Sequence, residues 1–382
     1  MRRLRLLLVA LLLPLALGSG GARPGVVLQP TWVMTELDAR GEASAAYAVN
    51  ERGDVVGTSQ DPGGVAVSGL RDDPRVVVWR RDGRMTVIGR THIDLRPVLL
   101  LNDRGQVVWK EPGVGWMLWQ DGKERKLGWI GARAMNERGQ IVGSSLREGR
   151  FHAVLWENGR LRDLGLLPGH VFSEATSIND SGAVVGTSLR AAPGSATRAV
   201  LWRAKTMRDL GVLPGFDPSS SDCVASQINR RGQVLGYCTD DRRLHAFLWN
   251  PSMRDLRVGT RAIYPDALND RAQVVGTLRV SGNLHPFLWV NGKLTDLGTL
   301  GGELTHAWPT AINTRGQVIG VSGPAPAGRG HAFVWEDGVM TDLAPTAAAS
   351  QAVDMNDEGQ IVGWIATGGG RTRAVLWTRS SN

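Results

Sequence analysis

Apolar residues along this chain fall in short runs of three or four, each closed by Gly, Asn or Asp, and the runs recur. One unit reads "INTRGQVIG" at 312–320. Near copies stand at 228, "INRRGQVLG", and at 355, "MNDEGQIVG". Aligned on Asn-x-x-Gly, the unit occurs eight times, at Asn50, Asn102, Asn136, Asn179, Asn229, Asn269, Asn313 and Asn356, with Ala272 replacing the Gly of the sixth copy. A second unit alternates with it: "HAVLW" at 152, "HAFLW" at 245, "HPFLW" at 285 and "HAFVW" at 331, with looser versions ending at Trp79, Trp119, Trp202 and Trp377. A third follows, as in "GRLRDLG", "KTMRDLG" and "GKLTDLG". The runs are short, rich in β-branched residues and bounded by turn formers, which predicts strands.

The turn chemistry sets the pairing. Asn first and Gly last suit a type I turn, with the Asn side chain bonding the backbone two residues on. The segment before each Asn and the "QVIG" after it then form one hairpin. The His-led run and the "DL" run form a second. Two hairpins per period of about 44 residues predict a four-stranded antiparallel blade, and eight such periods an all-β propeller. The last repeat stops at "RAVLW" and lacks a fourth strand, while "TWVMTEL" at 31–37 stands ahead of the first repeat; its "TEL" mirrors "TDL" at 295–297. The spare strand fits the gap, so the ring is expected to close through its N-terminal strand. Eight blades are expected, with seven as the alternative count because the second repeat is short and irregular. Each recurring Trp, buried between sheets, would remove about 4–6 kcal/mol worth of apolar surface from water as an upper bound. Small residues four places before Asn (Ala46, Ala132, Ala175, Ala225, Ala352) suit the innermost strand, where blades crowd toward the axis.

The first residues address compartment. "MRRLR" is a positive n-region, "LLLVALLLPLAL" an apolar run, and "GSGGA" supplies small residues for cleavage. Together they predict a signal peptide over 1–22, followed by one propeller domain over 23–382. The expected mature chain is soluble and extracytoplasmic, secreted or periplasmic, with no later run long enough to span a bilayer. The formal charge is +8, from 44 Lys and Arg against 36 Asp and Glu. The basic residues are spread along the chain beside acids, which argues for ordinary surface charge and against a nucleic-acid partner.

The phrases resemble the HAF repeat of extracellular bacterial proteins. The carriers are "HAFLW" at 245, "HAFVW" at 331, "DLGTLGG" at 296 and the eight turn motifs, covering about 31–378. The resemblance implies export and a repeat fold; it brings no activity and no catalytic residues. Arg198 and Arg373 stand where that pattern has His.

Candidate chemistry is sparse. His152, His245, His285 and His331 share one repeat position, and Asp163, Asp209, Asp255, Asp296 and Asp342 share another. Equivalent outer positions lie on a wide ring and cannot converge on one metal ion, so a structural His–Asp role within each blade is expected. Turn arginines such as Arg52, Arg104 and Arg138 could form an anion ring, but Glu51, Asp103, Glu137 and Asp270 precede four of the turn arginines, so local compensation is the expectation. Cys223 and Cys238 flank one hairpin turn and are expected to form a disulfide in an oxidising compartment, unless a bulge spoils their register. No nucleophile, metal-binding or phosphate-loop motif appears, and no cofactor is expected.

The two faces of the disk differ. The hairpin turns on one face are nearly constant in length; the connections on the other vary, as at 188–198 and 212–222. Variable loops on a rigid scaffold are where binding usually resides. Trp129, His170, Phe172, Tyr264, Asp266, His306 and Trp308 lie in or near those connections and are the candidate ligand-binding residues. The expected function is a non-catalytic, monomeric binding module for a protein or glycan. The alternative is an extracytoplasmic glycosidase or lyase with acids on the axial face.

Overall fold

The computed structural model describes residues 31–380 except 38, 40–42, 61–73, 93–97, 129, 191–195, 241–242, 257–262, 302–305 and 325–329. The expected signal peptide therefore lies outside the described residues. The chain from Trp32 onward forms eight four-stranded antiparallel blades in a closed propeller. Blade 7 shows the plan. His306–Ile312 is innermost, Val318–Gly323 and His331–Glu336 follow, and Val339–Asp342 is outermost. Blade 8 takes its outer strand, Trp32–Glu36, from the start of the domain. Trp32 faces Arg379 and Glu36 faces Val375, as the mirrored "TEL" predicts.

The turn asparagines do more than turn the chain. In seven turns Oδ1 accepts backbone N–H bonds from two and four residues on, as Asn50 does from Arg52 (3.1 Å) and Asp54 (2.8 Å), and Asn356 Oδ1 accepts from Gln360 N. Each Nδ2 then donates to the carbonyl of the next blade's Asn. Asn50 reaches Asn102, and the series runs through Asn136, Asn179, Asn229, Asn269 and Asn313 to Asn356, at 2.8–3.2 Å. Asn356 Nδ2 donates back to the Asn50 carbonyl at 2.9 Å. The result is a closed ring of eight side-chain bonds, all from buried asparagines. In the sixth turn Ala272 adopts φ 60°, a left-handed conformation that strains a residue with a Cβ.

A second glycine is required by a close approach. In seven blades the inner strand carries a bulge three residues before Asn, as between Ala175 and Ser177 or Pro309 and Ala311. The carbonyl before the bulge presses on the partner strand. A Cβ on Gly186 would sit 1.9 Å from the Glu174 carbonyl oxygen, and one on Gly320 2.0 Å from that of Trp308. In blade 2 Trp109 stands in place of this Gly, fully buried, and among the described residues the inner strand pairs over Leu100–Leu101.

Blades adhere through apolar clusters, one for each of the eight neighbouring pairs among the described residues. The recurring Trp is buried in seven blades, and Trp335 is half-buried. Arginines of one blade cap the Trp of the next: Arg80 lies over Trp119, Arg208 over Trp249 and Arg254 over Trp289. At the seam between blades 8 and 1, Asp354 Oδ2 accepts from Val49 N at 3.0 Å. Burial pushes this carboxyl up to about 6, with hydrogen bonds from Val49 and Met355 opposing and Glu51 adding repulsion.

Cys223 and Cys238 form a disulfide with Cα atoms 4.1 Å apart. The bulge foreseen as a threat to their register in fact sets it. Ile228 pairs with Val234, the ladder slips at the bulge between Ala225 and Gln227, and Cys223 then falls opposite Cys238.

Three tests follow from these contacts. Asn179 is a clean ring member, because its Nδ2, like that of Asn50, bonds only the next turn's Asn carbonyl among the described residues. Asn179→Asp keeps the turn acceptor and sets an anion against that carbonyl; urea unfolding at pH 7 should show a loss of at least about 2 kcal/mol. For Asp354, the folded carboxyl holds its proton more tightly than the unfolded one. The associated stability is full below about 3.8 and is lost as pH rises through about 6. Asp354→Asn should therefore melt with wild type at pH 4 and above it at pH 7.5, by up to about 3 kcal/mol. Selective reduction of the disulfide, which spans 15 residues, should cost about 3 kcal/mol in the same unfolding assay.

Candidate functional site

Inner strands run from the variable face toward the Asn turns, so their first residues line the variable end of the axis. Third strands start on the same face, farther out. There His152 Nδ1 meets Asp163 Oδ2 at 2.8 Å, and His245–Asp255 (3.2 Å), His285–Asp296 (3.0 Å) and His331–Asp342 (2.8 Å) repeat the pair. The Asp also accepts from the backbone two residues on, as Asp163 does from Gly165 N at 2.7 Å. In blade 4 Arg198 replaces the His, with Nε 3.8 Å from Asp209 Oδ2. In blades 3 to 7 one such pair, on the outer strands, pins the outer hairpin to the connection that follows. Among the described residues no group of three His, Cys, Asp or Glu side chains is placed to hold a metal ion.

The sequence candidates separate on the structure. Trp129 lies outside the described residues. His170 is 8% exposed, and its Nδ1 has no hydrogen-bond partner among the described residues. Burial, then the nearby Arg190, pushes its imidazole below the ordinary value. Phe172 packs edge-on against Phe151 at 6.3 Å. Tyr264 is 53% exposed on the inner strand of blade 6.

Asp266, His306 and Trp308 come together. A recess of about 460 Å³ opens between blades 6, 7 and 8, lined by Asp266, Trp308, Val321, Gln351 and Trp364 among others. Asp266 is the bulged residue of its strand, lying between Pro265 and Ala267 where the register slips. The bulge leaves it unpaired in the ladder. Asp266 lines the recess and its side chain remains exposed to solvent there. Burial pushes its carboxyl up to about 6, opposed by a hydrogen bond to Oδ2 from Thr277 Oγ1 at 3.1 Å. Trp308 is held by His306, stacked on it at 5.9 Å and 12°. His306 is itself fixed, since its Nδ1 accepts from Leu284 N at 3.0 Å. Two polar neighbours are already engaged: Thr310 Oγ1 donates to the Ala352 carbonyl, and Ser350 Oγ accepts from Ala332 N.

Sequence reasoning missed Trp364 and Gln351. Trp364 lies eight residues past Asn356, where other copies carry Thr58, Ser144, Thr187 and Thr277. Tyr237 and Val321 stand at the same position in two further copies, so the repeat pattern carried no signal that singled Trp364 out.

The opposite end of the axis differs in kind. Residues following each Asn surround a mouth of about 280 Å³, including Glu137, Asp180, Arg230, Asp270, Thr314 and Asp357. Its carboxylates are engaged blade to blade. Glu51 N donates to Asp103, Asp103 N to Glu137, Glu137 N to Asp180, Arg230 N to Asp270, Thr314 N to Asp357, and Asp357 N to Glu51. Arg230 fills the gap, 3.3 Å from Asp180 and 3.7 Å from Asp270. Burial raises the Glu51 and Glu137 carboxyls, with backbone hydrogen bonds opposing and neighbouring carboxylates adding to the rise. The turn acids thus bind backbone N–H groups of neighbouring blades instead of the arginines beside them, and the axial lining is mostly acidic.

No protein-family model matches the chain, and no curated protein matches it. Solved structures do. The chain is similar to an acylaminoacyl peptidase of Pyrococcus horikoshii (TM-score 0.52, 12% identity), covering 85% of this chain and 58% of that one. A puromycin hydrolase gives TM-score 0.53 at 12% identity over 88% and 58%. The β-propeller domain of the trilobed protease from Pyrococcus furiosus, described as an open velcro topology, gives 0.52 at 12% over 79% and 98%. This chain spans less than two thirds of the two enzymes. The likeness is one of fold, and here the ring is closed by a strand pair.

Proposed function

We propose that this chain is an exported, non-catalytic recognition module, related to the HAF-repeat proteins, that grips its ligand in the recess between blades 6 and 8. The observation that carries this reading is a rigid aromatic wall, Trp308 backed by His306, facing a single carboxylate on the variable-loop side. A glycosidase requires two carboxyl groups about 5–10 Å apart. Asp266 is the one charged side chain among the described residues lining the recess. The axial carboxylates lie at the other end and are bound to neighbouring backbone N–H groups.

Of the two ligand classes the sequence allows, the lining favours a protein segment. Sugar hydroxyls need several polar partners, and the Thr310 and Ser350 hydroxyls are already engaged. Apolar walls with a few placed polar groups suit a side chain instead. Peptide and glycan arrays probed with the purified mature chain should give peptide binders. Trp308→Ala should weaken them at least tenfold, with an unchanged melting temperature. Binding confined to glycans, or insensitive to this substitution, would remove the reading.

A further inference from the structure

Resting on that reading, we propose that the recess receives the ammonium end of a lysine side chain from the protein ligand, with Asp266 as its counter-ion and the Trp308 and Trp364 indoles as its walls. The first argument is charge. In a chain of formal charge +8, Asp266 carries the sole formal charge among the described lining residues, and no Lys or Arg pairs with it among them. A carboxylate on the lip of a largely apolar recess, with no cation among the described lining residues, offers an unpaired counter-charge to a cation that enters.

The second argument is shape and surface. Indole faces attract organic cations, more strongly when water is excluded. Pro309, Val321 and Ala349 add apolar surface for methylene groups. The third argument separates ammonium from guanidinium. Thr277 already donates to Asp266 Oδ2, which leaves Oδ1 as the open acceptor. A single open oxygen matches a compact ammonium better than the two-pronged fork of arginine.

The other groups facing Asp266 are few. Tyr264 lies two residues earlier on its own strand and Thr277 on the paired strand; from blade 7 comes Trp308 with His306 behind it, and from blade 8 Gln351 and Trp364. Asp266 is thus the negative charge that titrates at the recess. Its carboxyl is pushed up to about 6, so a cationic ligand should bind about tenfold more weakly at pH 5 than at pH 7.5.

The test uses the full mature chain labelled with 5-fluorotryptophan. The Trp308 and Trp364 fluorine resonances are assigned with Trp308→Phe and Trp364→Phe. Probes are acetyl-Gly-Lys-Gly-amide, its Nε-acetylated form, the arginine analogue and glucosamine. The lysine peptide should shift both resonances saturably, and the acetylated form should bind at least tenfold more weakly. Asp266→Asn should cost tenfold for the lysine peptide and abolish the pH dependence, while leaving the two resonances at their free positions. Equal shifts with lysine and acetyl-lysine peptides would overturn the ammonium assignment and keep the recess as a binding site. Preference for arginine or glucosamine would overturn the lysine assignment. Array-selected peptides that bind without moving either resonance would refute the recess itself.

Discussion

The structure depends on one constraint: eight buried asparagine amides must each satisfy a neighbour's carbonyl, and the eighth must satisfy the first. A buried amide without partners carries a penalty of about 1–3 kcal/mol per group. The ring leaves no such group, because every Nδ2 has an acceptor in the next blade. It also fixes spacing. Each bond is 2.8–3.2 Å long, so the turns can neither spread nor crowd. The carboxylate ring beside it repeats the same logic with weaker uniformity, since Arg230 and Thr314 interrupt it.

Around that hub the blades are alike where they touch and free where they do not. The glycine under the bulge, the small residue before it and the Trp between sheets recur because each meets a neighbour at fixed distance. The residues lining the recess obey no such requirement. Asp266, Trp308 and Trp364 occupy positions where other copies carry small or unrelated side chains, such as Ser226, Gly131 and Thr187. Divergence at a repeated position is the mark of a site on a scaffold of this kind.

That contrast explains what could be read from sequence. Blade number, the closing strand and the disulfide were legible because they rest on local turn chemistry and on counting. The role of Asn as a ring donor was not, since its acceptor lies 34–52 residues away in seven of the cases and across the whole chain in one. The recess was half legible. Asp266, His306 and Trp308 stood out as chemistry near variable connections, whereas Phe172 and His170 looked the same in sequence and pack elsewhere. Trp364 sits inside a regular strand, where pattern alone assigns it to the core. Only the shape of the gap between blades 7 and 8 shows that it borders open space.

The closing strand has a mechanical corollary. Trp32 lies opposite Arg379, and the two chains run antiparallel from there, so both ends of the domain emerge at the same end of one strand pair. Tension applied between them peels that pair one rung at a time instead of shearing all rungs together. The outermost strand is therefore the fuse of the disk, detaching under pulling forces that the asparagine hub, loaded only afterwards, would withstand.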